Sequence, residues 1–110
     1  MKRALDIYWD NHLVGRLEQI DSLYRFTYDA AYAVSSLPPV SLTLPKSQVT
    51  YESSVLFPCF SNLLPEGANR ETICRRHRID ERDSFGLLIL FAGKGVIGNL
   101  EFRTVEPVNF

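Results

Sequence analysis

Three groupings of residues in this chain have types and spacings that could do chemistry. Gly93, Gly95 and Gly98 match G-x-G-x-x-G, the spacing that lets backbone amides close on a phosphate. In a dinucleotide site that motif follows a strand and opens a helix, whereas here it follows an apolar helical run and precedes an alternating one. In a protein kinase a lysine strand, a catalytic Asp and a metal-binding Asp come downstream, and only twelve residues follow Gly98. The stretch reads as a glycine-rich turn. Cys74 and His77 stand three apart on a predicted helix, near enough for a nucleophile and its base or for two metal ligands. His12 and Cys59 are what remains to complete a tetrahedral set, and neither has ligand spacing, so a packed thiol and a surface imidazole are the simpler reading. The run Arg75-Arg76-His77-Arg78 could grip phosphates. Asp80, Glu81 and Asp83 follow at once and no aromatic side chains interleave, which favours a solvated helix end, with an acidic patch on a protein partner second.

The strand aromatics Tyr8, Trp9, Tyr24 and Tyr28 could furnish an interaction hot spot, although their alternation accounts for them equally well as core. No base, nucleophile and oxyanion donor come together, so the residues point to a binding module without metal or cofactor. The element with most to display is residues 60–70, F-S-N-L-L-P-E-G-A-N-R. An apolar helical face (Leu56, Phe60, Leu63, Leu64) runs into Pro65 and Gly67, which must end the helix and throw a short stiff loop into solvent. Asn69 then caps a second helix. On these residues alone an ordinary helix connector is the simpler reading; if the loop docks on a partner, Leu64, Pro65, Glu66, Gly67, Ala68, Asn69 and Arg70 are the candidate partner-binding residues.

These groups need a scaffold, and 110 residues make one domain over residues 1–110 with enough surface to bury an independent core. Twelve basic against thirteen acidic residues give a formal charge of −1, so no global field draws the chain to nucleic acid or to an anionic membrane. Neither end carries the apolar run of a signal peptide or membrane span, which predicts a cytoplasmic protein whose Cys59 and Cys74 are free, packed thiols.

Leu5, Ile7 and Trp9 alternate with Ala4, Asp6 and Tyr8; residues 13–18 alternate again, and so do Tyr24, Phe26 and Tyr28 with Arg25 and Thr27. With turns at Asp10-Asn11 and residues 20–22, this predicts an antiparallel meander. Residues 29–34 suit one or two helical turns. Residues 40–44, V-S-L-T-L, predict a short strand closed by Pro45, and residues 46–51 an irregular polar stretch. Ser53 or Ser54 offers an N-cap for a helix running to Leu64, with Pro58 near its first turn. The helix after Asn69 has Glu71 in its first turn, Arg75, Arg76 and Arg78 toward its end, and a Glu71–Arg75 pair at i,i+4. Asp80 or Asp83 starts a buried helix over residues 84–92, Gly93 ends it, and residues 99–105 form a last strand. The sum is an α+β fold: a small, mainly antiparallel sheet, from the N-terminal meander and short later strands, packed with about three helices.

The order V-S-L-T-L-P (40–45), F-S-N-L-L-P-E-G-x-N-R (60–70), F-G-L-L (85–88) and G-K-G-V-I-G-N-L (93–100), with the opening hairpin V-G-R-L (14–17), resembles the N-terminal subdomain of HipA-type serine/threonine kinase toxins across nearly the whole chain. One departure is Gly93-Lys94-Gly95, where the family usually shows Gly-Arg-Asp. The resemblance implies a subdomain that packs on a kinase core and carries no catalytic residue. A free-standing copy is similar to the HipS antitoxins of tripartite HipBST systems. That implies binding and neutralisation of a HipT-like kinase toxin, with a HipB-like DNA-binding protein in the same complex and no direct contact with nucleic acid or membrane. HipT-type kinases are associated with phosphorylation of tryptophanyl-tRNA synthetase. The alternatives are a structural N-terminal subdomain of a HipA-type kinase, against which the E-P-V-N-F ending argues, a small enzyme using Cys74 and His77, and DNA binding through residues 75–82.

Overall fold

The computed structural model describes residues 2–92, 96, 97 and 99–105. The period-two pattern of the first third forms the expected meander: β1 (Lys2–Trp9), β2 (His12–Ile20) and β3 (Leu23–Tyr28), antiparallel throughout. Asp10 and Asn11 link β1 to β2 with φ of 49° and 65°, the left-handed pair that a two-residue hairpin matching strand twist requires. A one-turn helix, α1 (Ala30–Ala33), follows, its first turn capped by the Asp29 side chain. Then come β4 (Thr50–Ser53), α2 (Pro58–Ser61), α3 (Gly67–His77), α4 (Ser84–Ala92), β5 (Val96–Ile97) and β6 (Leu100–Thr104). The six strands pair in the order β4-β3-β2-β1-β6-β5, so the last strand closes against the first. The fold is α+β as expected, and two of its four described helices are single turns.

Register shows which side chains share the covered face. Leu5 stands opposite Leu17 and Leu17 opposite Phe26, while Ile7 stands opposite Gly15, Phe102 and, through Gly15, Tyr28. A bulge between Ile7 and Tyr8 leaves Val14 unpaired in β1–β2, and so both Val14 and Leu17 are buried despite their three-residue spacing. Onto this face the helices bring Tyr32, Phe60, Cys74, Phe85, Leu87 and Leu88, all buried. Phe60 is the centre: its ring lies 5.7 Å from Phe26, 6.2 Å from Phe57 and 6.0 Å from Phe102. The opposite face is polar and laced by Lys2–Glu18, Arg16–Asp6, Arg25–Glu52 and Arg103–Glu101 pairs at 2.8–2.9 Å. Arg103 also covers the Tyr8 ring.

Several local expectations are corrected. Residues 40–44 are not a strand. Leu44 is buried but Leu42 is 94% exposed, and the Leu44 N–H donates to the Ser41 carbonyl in a turn. Side chains satisfy this segment where a ladder would have: the Tyr28 hydroxyl donates to the Leu44 carbonyl and accepts from the Val40 N–H, Tyr32 donates to Pro38 O, and Tyr51 to Pro45 O. Lys46 Nζ donates to the carbonyls of Ser35 and Leu37, both at 2.6 Å, beneath the Tyr32 ring. Prolines at 38, 39 and 45 remove the donors that pairing needs. The edge strand instead lies in β4, inside and beyond the stretch expected to be irregular. Neither Ser53 nor Ser54 caps α2, whose N-cap is Phe57 (φ −59°, ψ 131°) with Pro58 next; Ser53 Oγ accepts the Val55 N–H in its own turn. The helix also stops at Ser61 rather than Leu64. Asp83 does cap α4, accepting the Gly86 N–H at 3.0 Å. That helix buries Phe85, Leu87 and Leu88, while Ile89, Leu90 and Phe91 stay half-buried. Gly93, Gly95 and Gly98 lie outside the described residues, although the order of apolar helix then strand around them is the expected one.

Candidate functional site

The candidate loop is built from both ends inward. After α2, the Leu63 N–H donates to Phe60 O and the Leu64 N–H to Ser61 O, each at 3.1 Å, so the chain leaves the helix through a tight turn. Leu64 is buried at 5% exposure and packs into the core. Pro65 is half-buried. Glu66 is extended (φ −128°, ψ 166°) and is the N-cap of α3, without a side-chain cap bond. Gly67 has φ of 60° and open space around its Cβ position, so the glycine is required by conformation and not by crowding. Glu66, Gly67, Ala68 and Asn69 are exposed.

Two residues of the candidate set therefore do not face outward. Leu64 anchors the loop from below. Arg70 turns inward, its Nε donating to Glu81 O at 2.7 Å and its Nη2 to Ser84 Oγ at 3.0 Å, which ties α3 to the start of α4. Asn69 is not the cap. The left-handed Gly67 bends the chain early enough for α3 to begin there, leaving Asn69 in the first turn and Glu71 in the second. The Glu71–Arg75 pair forms at 2.7 Å, and Arg75, Arg76 and His77 occupy the last turn, where the helix dipole favours cations. Arg78 ends α3 in left-handed conformation, with φ 57° and ψ 45°, and its N–H donates to Cys74 O. Arg82 pairs with Asp80 at 3.2 Å.

The other candidate chemistry stays apart. Cys74 is buried while His77 is exposed, so the two do not share a site. Cys59 is half-buried, burial pushes its thiol up to about 11 against a smaller lowering by Ser41, and both cysteines are free. Among the described residues no group of three or more His, Cys, Asp or Glu side chains could hold a metal ion. A surface cavity of about 390 Å³ is lined by Asp6, Arg16, Glu18 and Asp29, but the first three are paired across the sheet and Asp29 caps α1. Tyr28 is core and Tyr24 stacks 6.4 Å from Phe85. Trp9 packs at the core margin, with His12 stacked on it at 6.4 Å. Among the described residues no helix is long and apolar enough to cross a membrane. The braces missed by sequence reading, Lys46 under Tyr32 and Arg70 on Glu81, are bonds to backbone carbonyls and leave no spacing signal.

The loop and its scaffold are matched together in known proteins. A family model described as the HipA N-terminal domain matches residues 5–103. A solved structure, the N-terminal domain of HipA toxin, superposes with a TM-score of 0.72 at 28% identity, covering 94% of this chain and 93% of that one. An uncharacterized protein of Haemophilus influenzae is 30% identical over 101 residues, 92% of each chain. With the four described helices, the displayed loop and all but the outer ends of the sheet inside the matched span, the chain belongs to the HipA N-terminal domain family.

Proposed function

We propose that this protein is a non-catalytic, cytoplasmic antitoxin of the HipS type. It binds a HipT-like serine/threonine kinase toxin directly and neutralises it, in a complex that also holds a HipB-like DNA-binding protein. The observation that carries this reading is the match to the HipA toxin's own N-terminal domain over 94% of the chain. A chain with that fold can occupy the place the domain takes in a larger kinase. The contact is made by residues 65–69, of which Pro65 is half-buried and the rest exposed, held rigid from behind by Leu64 and Arg70. Glu66 meets a basic group of the kinase, and Pro65 and Ala68 supply apolar contact. Rigidity at both ends lowers the ordering cost of docking.

The same match supports a second reading, in which the domain is a structural N-terminal piece of a HipA-type kinase without inhibitory effect. One assay separates them: a HipT-like kinase is titrated with the purified chain while phosphate transfer and co-elution are followed. Stoichiometric loss of activity is expected. Co-elution with undiminished activity supports the structural reading, and absence of both removes the kinase as partner. Within the assay, Glu66→Lys should weaken binding roughly 3- to 10-fold, as expected for reversing a rim charge. Unchanged inhibition by Glu66→Lys and by the Pro65→Ala, Gly67→Ala double variant, both shown to be folded, would dispose of the loop assignment.

A further inference from the structure

Helix α3 is covered less than its length would lead one to expect. Eight of its eleven residues are exposed, and Cys74 is its one buried side chain. Its outward face carries Ala68, Thr72 and Arg75 at i, i+4 and i+7, small toward the N-terminus and cationic toward the C-terminus. The far end differs in charge. Arg3 is bonded to Gln19 and to Asp83, and the ion pairs and carbonyl bonds described above occupy the other described lysines and arginines. Among the described residues, Arg76 and Arg78 are the cations left with no acceptor in the chain. Both are exposed, two positions apart, with exposed His77 between them. Arg78 also holds its place in left-handed geometry at a helix end, φ 57°, where glycine is the usual occupant.

We propose, resting on the kinase-binding reading above for the partner's identity, that the outward face of α3 docks on the kinase with Arg76 and Arg78 set against an acidic patch. The neighbouring charges select this occupant over a nucleic acid. Glu71 and Asp80 are matched by Arg75 and Arg82, exposed Glu81 follows, and the chain's formal charge is −1, so the unbalanced positive charge is confined to these two arginines and offers a polyanion no continuous track. A compact cluster of carboxylates fits between them. The small residues at Ala68 and Thr72 allow the partner's backbone to come close where the loop docks, and the arginines then fix the orientation of the helix.

The test compares wild type with Arg76→Glu/Arg78→Glu and with Arg76→Ala/Arg78→Gly, the second of which removes both charges while relieving the left-handed backbone. Neither arginine has an intramolecular partner, so both variants should melt within a few degrees of wild type. Affinity for the HipT-like kinase is measured at about 0.1 M and about 1 M salt, where the screening length falls from about 10 Å to about 3 Å. Charge reversal should weaken binding roughly tenfold at the lower salt and under about threefold at the higher, with neutralisation in between. Binding by the reversed variant equal to wild type at both salts overturns the acidic-patch proposal and leaves the kinase reading standing. Failure of wild type to bind overturns both. Binding of an oligonucleotide by the isolated chain, steeply salt-dependent and lost in both variants, overturns the protein occupant in favour of nucleic acid.

Discussion

Asp83→Ala removes two interactions at once, and the glycine three residues later allows them to be separated. The carboxylate accepts the Gly86 N–H at 3.0 Å as the cap of α4, and its two oxygens accept from Arg3 Nη1 at 3.1 Å and Nη2 at 2.7 Å. A lost cap costs about 0.5–2 kcal/mol. The pair adds about 0.2–1 kcal/mol, a discounted figure because the Arg3 and Asp83 side chains keep 22% and 31% of their exposure. Asp83→Ala should therefore destabilise by about 0.7–3 kcal/mol and lower the melting temperature by roughly 3–13 °C. Asp83→Asn keeps the cap oxygen and loses only the charge, for about 0.2–1 kcal/mol. A Cβ on Gly86 would meet Asp83 Oδ2 at 2.4 Å and Cγ at 2.9 Å, atoms of a side chain that can move. Gly86→Ala in wild type thus gains about 0.5–1 kcal/mol of helix propensity but evicts the cap, and the two effects offset. In the Asp83→Ala background there is nothing to evict, and the same substitution should stabilise by about 0.5–1 kcal/mol.

Urea and thermal unfolding of the four proteins close a double-mutant cycle, with an expected coupling of about 1 kcal/mol. Equal stabilisation by Gly86→Ala in both backgrounds, a coupling under about 0.3 kcal/mol, would refute the capping account. The pH dependence has a definite sign. The Arg3 hydrogen bond, ahead of a smaller opposing effect of burial, holds the Asp83 carboxyl below its ordinary range. The unfolded chain then binds this proton more readily than the folded one. Its contribution to stability is complete above the unfolded value near about 4 and fades as pH falls through the folded value, so wild-type and Asp83→Ala stabilities converge in acid.

Two further outcomes are expected. A Cβ on Gly15 would lie 2.3 Å from Thr27 O and 3.0 Å from both Phe26 Cζ and Tyr28 Cα, largely backbone that cannot yield; Gly15→Ala should cost about 3 kcal/mol by urea unfolding, and a loss under about 1 kcal/mol would show that β2 and β3 part easily. With its thiol pushed up to about 11, Cys59 should react with a disulfide reagent at pH 8 roughly tenfold or more slower than an ordinary thiol, the loss of thiolate outweighing its greater nucleophilicity, and recover in urea; an ordinary rate in the native protein contradicts the burial account.

How far the residues foretell this fold depends on where each segment finds its hydrogen bonds. The meander was legible because its strands alternate and its β1–β2 turn is two residues long, so pattern and pairing agree. V-S-L-T-L alternates just as well, yet Leu42 points to solvent, because Tyr28, Tyr32 and Lys46 reach this segment from other elements and leave no ladder to join. Thr50–Ser53 carries a weaker pattern but has the free edge of β3 beside it. The displayed loop was legible from Pro65 and Gly67, whose backbone constraints are local. Leu64 keeps the buried side that its place on the apolar face implies, whereas the inward turn of Arg70 is set at a distance: it finds Glu81 O and Ser84 Oγ only after the chain reverses at Arg78.

That reversal also bears on how α3, the proposed docking element, is held. An isolated helix of eleven residues is marginal in water, and α3 covers too little apolar surface to be held along its length. It is fixed instead at its ends and from one side: Leu64 and Gly67 set its start, Arg70 straps it to the entry of α4, and the Arg78 cap brings Ile79 back so that its N–H donates to Cys74 O at 2.9 Å. Fixings of this kind leave the outward face uncommitted while preserving its geometry, which is what a surface needs to meet a partner with little ordering cost. A helix packed along its length would have been more stable and would have had less to offer.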